Sequence, residues 1–236
     1  IARTCHGAIA GSRYISNWLR QYCNRVEIIW TGSHLVNHVP PTRPSERGDV
    51  IGWATSDVLG YPAEAKLMRE ALEYCAKERR FRLRIQGGGN PNEIREYFHT
   101  VVASGSMCEI IGFLPYKKFI KSLESLSVGL APLVIGNSSY SAGKSFGKVL
   151  GYLAADVPVV ASNAADHALF FRSGENGYLV DDVEDFAQSV ITLLDNHEAR
   201  DSIADAARMD FATKLSLGTA ADRVSGFITS LVEEFH

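Results

Sequence analysis

Two lysines form the clearest candidate for chemistry in this sequence. Lys144 and Lys148 are separated by one helical turn, and Ser145 and Gly147 lie between them. They open a small-residue segment, residues 149–155, that is predicted to be helical. A helix start favours anions, and each lysine adds a compact positive charge. The pattern therefore predicts a phosphate site, although solvated surface lysines would show the same spacing. The candidate contacts are Lys144, Ser145, Lys148 and Val149.

Three more groups of candidate residues lie at or just after the ends of predicted strands, over residues 50–54, 81–86 and 108–114. In open α/β sheets, ligands bind beyond the carboxyl ends of the strands. The run of three glycines either lets a ligand approach the backbone or forms a strand-to-helix turn that uses glycine's positive φ. The pair that ends the third strand either meets a ligand or forms core and turn. The candidates are Thr55 and Ser56, then Gly87, Gly88, Gly89 and Asn90, then Phe113 and Leu114.

Short apolar runs alternate with helical stretches from residue 49 onward, and this alternation predicts the fold class. Apolar runs bounded by Gly and Pro are typical of strands covered on both faces, and helical spacers predict parallel connections. We expect one parallel, doubly wound α/β sheet of Rossmann-like type. Its first five strands are predicted at residues 50–54, 81–86, 108–114, 128–133 and 159–162, and a short strand follows at residues 178–180.

The two ends of the chain have their own patterns. Strands are predicted at residues 6–11 and 26–30, with a helix over residues 13–21 between them and a Pro-rich, charged linker over residues 39–48. The apolar side chains on one face of that helix are Tyr14, Ile15, Trp18 and Leu19. A last helix has its own apolar face, made of Ala220, Val224, Phe227, Ile228 and Leu231. We expect the last helix to pack beside residues 12–22.

Composition and spacing exclude several classes of protein. The net charge of −3 over 236 residues argues against general nucleic-acid binding. The four cysteines show no CxxC spacing, so we expect neither zinc nor disulfides, and a reducing compartment is favoured. No apolar run approaches the length of a membrane span, so no transmembrane segment is expected. The seven histidines show no metal spacing, so no metal site is predicted and no histidine is a candidate.

Residues 144–180 resemble a known family. The matching pieces are KSxxKxxxYxAxxxPVVAS, followed at similar spacing by SGENGYLV. They resemble the donor-binding half of the nucleotide-sugar glycosyltransferases with the GT-B fold, in the retaining group 1 family. This resemblance implies a Rossmann-like donor-binding domain over residues 49–217. Residues 1–48 would be the tail of the acceptor-side lobe with a linker, and residues 218–236 a helix that crosses back to that lobe.

The resemblance also implies an activity and partners. A sugar would pass from a nucleotide-diphosphate sugar to an unknown acceptor, either a glycan or a lipid-linked one, without a metal or another cofactor. In the family, the position of Lys148 faces the donor diphosphate, and the loop at Phe113 packs against the nucleobase. Each half of a GT-B enzyme needs about 150 residues, so an N-terminal lobe or a second subunit would complete this chain. We expect a cytoplasmic protein, with the inner membrane face as a peripheral alternative.

The sequence departs from the family at two carboxylates. Group 1 enzymes usually carry two glutamates around the helix that follows the lysines, and Gly143 and Gly151 occupy those positions here. The catalytic residues therefore stay unassigned. The alternative function is a non-catalytic partner domain that has lost the donor-site glutamates. A dinucleotide-dependent oxidoreductase is disfavoured, because GGGNPN does not match GxGxxG.

Overall fold

The computed structural model describes residues 4–135 and 139–234, and within them a parallel six-stranded sheet forms the centre of the fold. A separate two-stranded parallel sheet lies near the N-terminus. The prediction of a parallel, doubly wound α/β sheet is confirmed, and all five predicted strands belong to it. The strands are β1 (Ala8–Ala10), β2 (Val26–Ile28), β3 (Val50–Asp57), β4 (Arg82–Gly88), β5 (Met107–Ile111), β6 (Val128–Ala131), β7 (Val159–Ser162) and β8 (Tyr178–Val180).

Helices cover both faces of the large sheet because side chains alternate along each strand. In β3, Ile51 and Trp53 enter one hydrophobic core, whereas Val50 and Ala54 enter the other. The helices are α1 (Arg13–Leu19), α2 (Pro62–Glu78), α3 (Pro91–Tyr97), α4 (His99–Ala103), α5 (Tyr116–Leu123), α6 (Ser139–Ala142), α7 (Val149–Ala154), α8 (His167–Phe170), α9 (Val183–Asp195), α10 (His197–Lys214) and α11 (Leu217–Glu234). Among these, α2, α3, α4 and α9 cover the first core, and α5, α7, α8 and α10 cover the second.

The strand order creates a crevice between β3 and β6. The order is β5-β4-β3-β6-β7-β8, so the chain builds outward from β3 on one side and then returns to build on the other. This is the order of a Rossmann fold, whose ligands bind at the point where the winding reverses. The pairing of the two strands ends at Trp53 and Leu130. Beyond that point β3 and β6 separate, and the Ala54 N–H no longer has a partner on β6. The buried Tyr152 hydroxyl accepts a hydrogen bond from this N–H at 2.7 Å.

The structure corrects the expected positions of two candidates. Thr55 and Ser56 were predicted to follow the strand of residues 50–54, in a loop after its end, and that is wrong. The strand β3 continues through them to Asp57, because Thr55 pairs with Gly87 and Asp57 pairs with Gly88. Thr55 is therefore held by the sheet, and Ser56 lies at a register shift within β3.

The helix predicted over residues 149–155 is confirmed as α7, but the two lysines are not one turn apart on a continuous helix, so that part of the prediction is wrong. Lys144 follows α6 in a turn, where its N–H donates to the Ser141 carbonyl at 3.3 Å. Lys148 immediately precedes α7, which begins at Val149. The lysines therefore approach each other across a turn that contains Gly147.

The predicted apolar face of α1 is largely exposed. Tyr14, Ile15 and Trp18 are 44%, 37% and 51% exposed, whereas Ser16 is buried. Ser12 caps the helix, as its hydroxyl accepts from the Ile15 N–H. The described residues thus leave this aromatic and aliphatic face uncovered.

The last helix, α11, lies against the N-terminal part of the chain. Arg25 donates to the Ser230 hydroxyl at 3.0 Å, and Arg223 forms an ion pair with Glu27 at 2.5 Å. Leu231 approaches Gly7 so closely that a Cβ there would lie 2.5 Å from it. The contacts fall mainly on and beside β1 and β2, and less on α1 than expected. The proposed division into domains stays a prediction. No described helix has the length and apolar composition needed to cross a bilayer.

Candidate functional site

Two adjoining cavities lie at the carboxyl edge of the large sheet. The first has a volume of about 360 Å³ and lies over the ends of β3, β4 and β5. The second has a volume of about 270 Å³ and lies over the crevice between β3 and β6. Both are lined by Ser56, Gly147 and Lys148. The pair therefore forms one cleft that crosses the sheet edge.

Aromatic side chains dominate the first cavity. Phe113 and Tyr116 are 73% and 52% exposed, and Phe119 lies beside them in the cavity wall. Gln86 and Thr55 add polar atoms to the floor. Exposed aromatic faces bind planar rings by stacking. This compartment suits a flat heterocycle with polar substituents.

Two ammonium groups dominate the second cavity. The Lys144 and Lys148 Nζ atoms lie 4.2 and 4.8 Å from the centroid of the Tyr61 ring. Lys148 also donates to the Thr55 hydroxyl at 3.0 Å. Burial lowers the pKa of Lys148, and the charge of Lys144 lowers it further. A bound anion would relieve both effects, so this compartment suits a phosphate or diphosphate.

A buried carboxylate stands behind the lysines. Glu64, in the first turn of α2, is 5% exposed and lies 3.9 Å from Lys144 Nζ. It also accepts a hydrogen bond from the Ser141 hydroxyl at 3.0 Å. No sequence motif points to this residue, because its partners come from a different part of the chain. Glu64 holds Lys144 against the cavity wall.

His167 lines the second cavity, and sequence reasoning missed it. The side chain is 3% exposed at the start of α8, and its Nδ1 lies 2.9 Å from the Ser162 carbonyl oxygen. Because a carbonyl only accepts, Nδ1 carries the proton. Burial lowers the pKa of His167, so the ring is neutral at pH 7 and Nε2 is a hydrogen-bond acceptor. In the sequence, nothing distinguishes His167 from the other six histidines, because none of the seven shows metal spacing.

The cleft brings together most of the predicted residues but not all of them. Those at the first cavity are Thr55, Ser56, Gly87, Phe113, Leu114 and Lys148, and those at the second are Ser56, Lys144, Ser145 and Lys148. Four predicted residues line neither cavity, namely Gly88, Gly89, Asn90 and Val149. Val149 is buried in the core, and Asn90 caps α3 by accepting from the Asn92 N–H at 2.9 Å.

The glycine run is largely explained by packing. A Cβ on Gly87 would lie 1.8 Å from the Thr55 carbonyl oxygen, which no neighbouring strand could accommodate. A Cβ on Gly88 would lie 3.0 Å from the Phe113 ring. These glycines let β4 approach β3 closely and let the aromatic wall fold over the strand ends.

The position of the absent second glutamate is also packed. A Cβ on Gly151 would lie 3.1 Å from Phe119 and 3.1 Å from Leu123, both on α5. A longer side chain at residue 151 would therefore have to displace α5 side chains. The part of the chain that the structure describes contains no cluster of three or more His, Cys, Asp or Glu that could hold a metal ion.

The fold and cleft define an α/β protein of the Rossmann-like class with its ligand-binding edge at the winding reversal. Residues 59–196, more than half of the chain, match the family model described as glycosyl transferases group 1. The chain belongs to this family, and its fold is that of the GT-B glycosyltransferases. A comparison with curated proteins gave no match.

Solved structures of GT-B proteins resemble the whole described fold. TarM from S. aureus superposes with a TM-score of 0.72 at 16% identity, covering 96% of this chain and 44% of TarM. HepE from Anabaena, solved with UDP and glucose, gives 0.75 at 15% identity, covering 97% and 64%. Sucrose-phosphate synthase from Thermosynechococcus elongatus gives 0.72 at 15% identity, covering 99% and 60%. At these identities the likeness establishes the fold, and the chain spans less than two thirds of each of these relatives.

Proposed function

We propose that this chain binds a nucleotide-diphosphate sugar across the carboxyl edge of its sheet and supplies the sugar for transfer to an acceptor. The observation that carries the proposal is the junction of an aromatic cavity with a cationic one at Lys148. A nucleotide sugar needs these environments in this order, because its planar base adjoins a charged diphosphate. The family match supports the same substrate class.

The lysines would act on the leaving group. When the bond to the sugar breaks, negative charge builds up on the diphosphate, and fixed cations in a partly dry cleft stabilise that charge. Lys148 is anchored by Thr55, and Lys144 by Glu64, so neither has to reorganise far during the reaction. We propose that this pair supplies the neutralising charge without a metal ion. The resemblance of residues 144–180 to retaining enzymes supports retention at the anomeric carbon.

The aromatic cavity would hold the nucleoside. Phe113 and Tyr116 offer exposed rings for stacking, and the Gln86 amide offers polar atoms at the floor. HepE was solved with UDP and with UDP-glucose, which makes uridine the first base to test. Because residue 151 is glycine, the ribose would bind without a carboxylate from this position.

The acceptor and its binding surface are part of the proposal. We propose a glycan or a lipid-linked acceptor held between this chain and an N-terminal lobe or a second subunit. A cytoplasmic location, at the inner membrane face for a lipid-linked acceptor, is consistent with such a role. The exposed face of α1, with Tyr14 and Trp18, lies on the part of the chain assigned to that lobe.

A non-catalytic donor-binding partner is the second candidate. The packing of Phe119 and Leu123 against Gly151 favours it, because the site is built without that carboxylate. The catalytic and the non-catalytic function differ in whether the bond between the sugar and the nucleotide is broken. Slow release of free sugar from a bound nucleotide sugar would indicate a competent leaving-group site, and stable binding without any release would indicate the partner role.

A thermal-shift panel tests nucleotide binding directly. The chain is heated with UDP, GDP, dTDP and CMP and with the corresponding nucleotide sugars. A ligand present at about one hundred times its Kd stabilises the folded state by about 2.7 kcal/mol, which raises the Tm by about 5–10 °C for a domain of this size. We expect at least one nucleotide and its sugar conjugate to give such a shift. No shift with any of them would overturn the proposed function.

A further inference from the structure

We propose that His167 is the residue that reads the transferred sugar, by accepting a hydrogen bond from one of its hydroxyl groups. The inference rests on the proposed function and adds to it a specificity-determining contact at the sugar end of the cleft. Three observations carry it: the order of groups along the sheet edge, the tautomer of the ring, and the anchoring of the preceding residue.

The strand order places the compartments in line. The aromatic cavity lies over β5 and β4, the lysines lie at β3 and the crevice, and His167 follows β7 on the far side of β6. The two cavities meet at Lys148. A ligand whose base rests on Phe113 and whose diphosphate rests on Lys148 must extend past the crevice toward His167. The group attached to the far phosphate is the sugar.

The ring presents an acceptor in a cavity whose charged side chains are donors. With Nδ1 donating to the Ser162 carbonyl, the neutral ring exposes the lone pair of Nε2. Within residues 4–135 and 139–234, Nε2 has no hydrogen-bond partner. Lys144 and Lys148, the charged groups that line the same cavity, can only donate. With the base and ribose on the other side of the lysines, a sugar hydroxyl is the group that can donate to Nε2, since the diphosphate has no proton to give at pH 7.

The His167 ring is held in a fixed position, as a side chain that selects one sugar hydroxyl requires. The neighbouring Asp166 is 2% exposed and accepts from Trp30 Nε1 at 3.0 Å and from the Arg13 backbone N–H at 3.1 Å. Arg13 Nε also lies 3.0 Å from this carboxylate. The Phe171 ring packs against His167 with its centroid 6.2 Å away. These contacts fix the start of α8, so Nε2 is preorganised for one hydroxyl position.

The test compares binding of a nucleotide with binding of its sugar conjugate. UDP with UDP-glucose, and GDP with GDP-mannose, are titrated by calorimetry into the unmodified chain and into H167F, which removes the acceptor and keeps a ring of similar size. We expect H167F to bind the free nucleotide within about twofold of the unmodified chain. The ratio of the two dissociation constants should shift against the sugar conjugate by about tenfold, the effect of one neutral hydrogen bond. H197F, at an exposed histidine on α10, is the matched control and should shift neither.

A second pair of measurements keeps the inference testable if H167F does not fold. H167Q keeps an acceptor oxygen and should recover most of the sugar-dependent affinity. Deoxy analogues of the bound sugar should show one hydroxyl whose removal weakens binding to the unmodified chain about tenfold and to H167F not at all. If H167F lost the same affinity for the nucleotide and for the nucleotide sugar, or lost affinity for neither, the role of His167 in sugar recognition would be overturned. The proposal that the chain binds nucleotides would stand. If the thermal-shift panel identifies another nucleotide, that nucleotide and its sugar conjugate take the place of these ligands, and failure of the unmodified chain to bind any member of the panel would overturn the proposed function as well.

Discussion

At the scale of single residues, the cleft depends on two cations that share one aromatic ring. Like charges repel, yet Lys144 and Lys148 both face Tyr61, whose π-face attracts cations. Glu64 balances one of them from behind. The sequence predicted the lysines from their type and spacing. It gave no sign of Tyr61 or Glu64, because those contacts join segments about 80 residues apart in the chain.

The lysine pair yields the first residue-scale prediction. K144A/K148A should weaken nucleoside-diphosphate binding by roughly two to four orders of magnitude, because each charge-assisted hydrogen bond is worth about 1.5–3 kcal/mol and each 1.4 kcal/mol is tenfold. Isothermal titration calorimetry measures the change. K77A, at an exposed lysine in the last turn of α2, is the control and should bind as the unmodified chain does. Undiminished binding by a folded double variant would remove the lysines from the site.

Other residues show where sequence reasoning about the site stopped. Asn90 was a candidate ligand contact, but it precedes Pro91 and caps α3, a role that an Asn before a Pro at a helix start regularly has. Val149 was included for its place beside Lys148 and is core. His167 was set aside because a lone histidine carries no spacing signal. Its importance depends on burial, tautomer and position at the sheet edge, and none of these can be read from the sequence.

At the scale of elements, the turn before β8 is a hydrogen-bonded connection between the sheet and α10. Asn176 is fully buried, donates to the Phe170 carbonyl and to Asp210 of α10, and accepts from the Arg172 N–H at 2.7 Å. Asp210 also pairs with Lys214 at 2.8 Å and with Arg172 at 2.9 Å. The SGENG segment that carried much of the family resemblance therefore joins α10 to the sheet and lies away from both cavities.

The Asp210 carboxylate in this connection predicts that the stability of the fold depends on pH. Burial alone would raise the pKa of Asp210, but hydrogen bonds from Lys214, Arg172 and Asn176 outweigh it and lower the pKa. A carboxylate with a depressed pKa stabilises the fold above its unfolded pKa of about 3.9 and loses that effect as the pH falls further. D210N should therefore cost about 1–3 kcal/mol of unfolding free energy at pH 7. The difference from the unmodified chain should shrink below about pH 4.

Urea unfolding curves at pH 7, 5 and 3.5 check this prediction. D222N, at an exposed carboxylate on α11, is the control and should unfold like the unmodified chain at each pH. A deficit for D210N that stays the same across all three pH values would show that the loss comes from packing and not from the charge.

Most elements were predictable because short apolar runs separated by helical stretches leave few arrangements other than a parallel sheet. The residues at which elements begin and end were harder to predict from the sequence. The strand β3 runs through Thr55 and Ser56 because β4 continues through glycines beside it, a pairing that depends on the neighbour. By contrast, α7 begins at Val149 as predicted, and only the position of Lys144 in a turn before it was not foreseen.

At the scale of the whole molecule, the cleft and the N-terminal part of the chain are joined. Asp166, next to His167, is bound by Arg13 and Trp30, and the buried Arg47 and Arg200 attach residues 47–49 to the large sheet and to α10. Arg200 donates to Asp49 at 2.9 Å, and Arg47 donates to the Leu126 carbonyl at 3.0 Å. The sugar end of the proposed site is thus built where the two parts of the chain meet.

The central claim is the direction in which a nucleotide sugar lies across the sheet edge. A crystal structure of the chain with a bound UDP-sugar, or with whichever nucleotide sugar the panel identifies, tests it most directly. We predict the base against Phe113 and Tyr116, a phosphate oxygen within about 3 Å of Lys148 Nζ, and the sugar on the His167 side of β6. A base at the His167 end, or a diphosphate bound away from both lysines, would contradict the account.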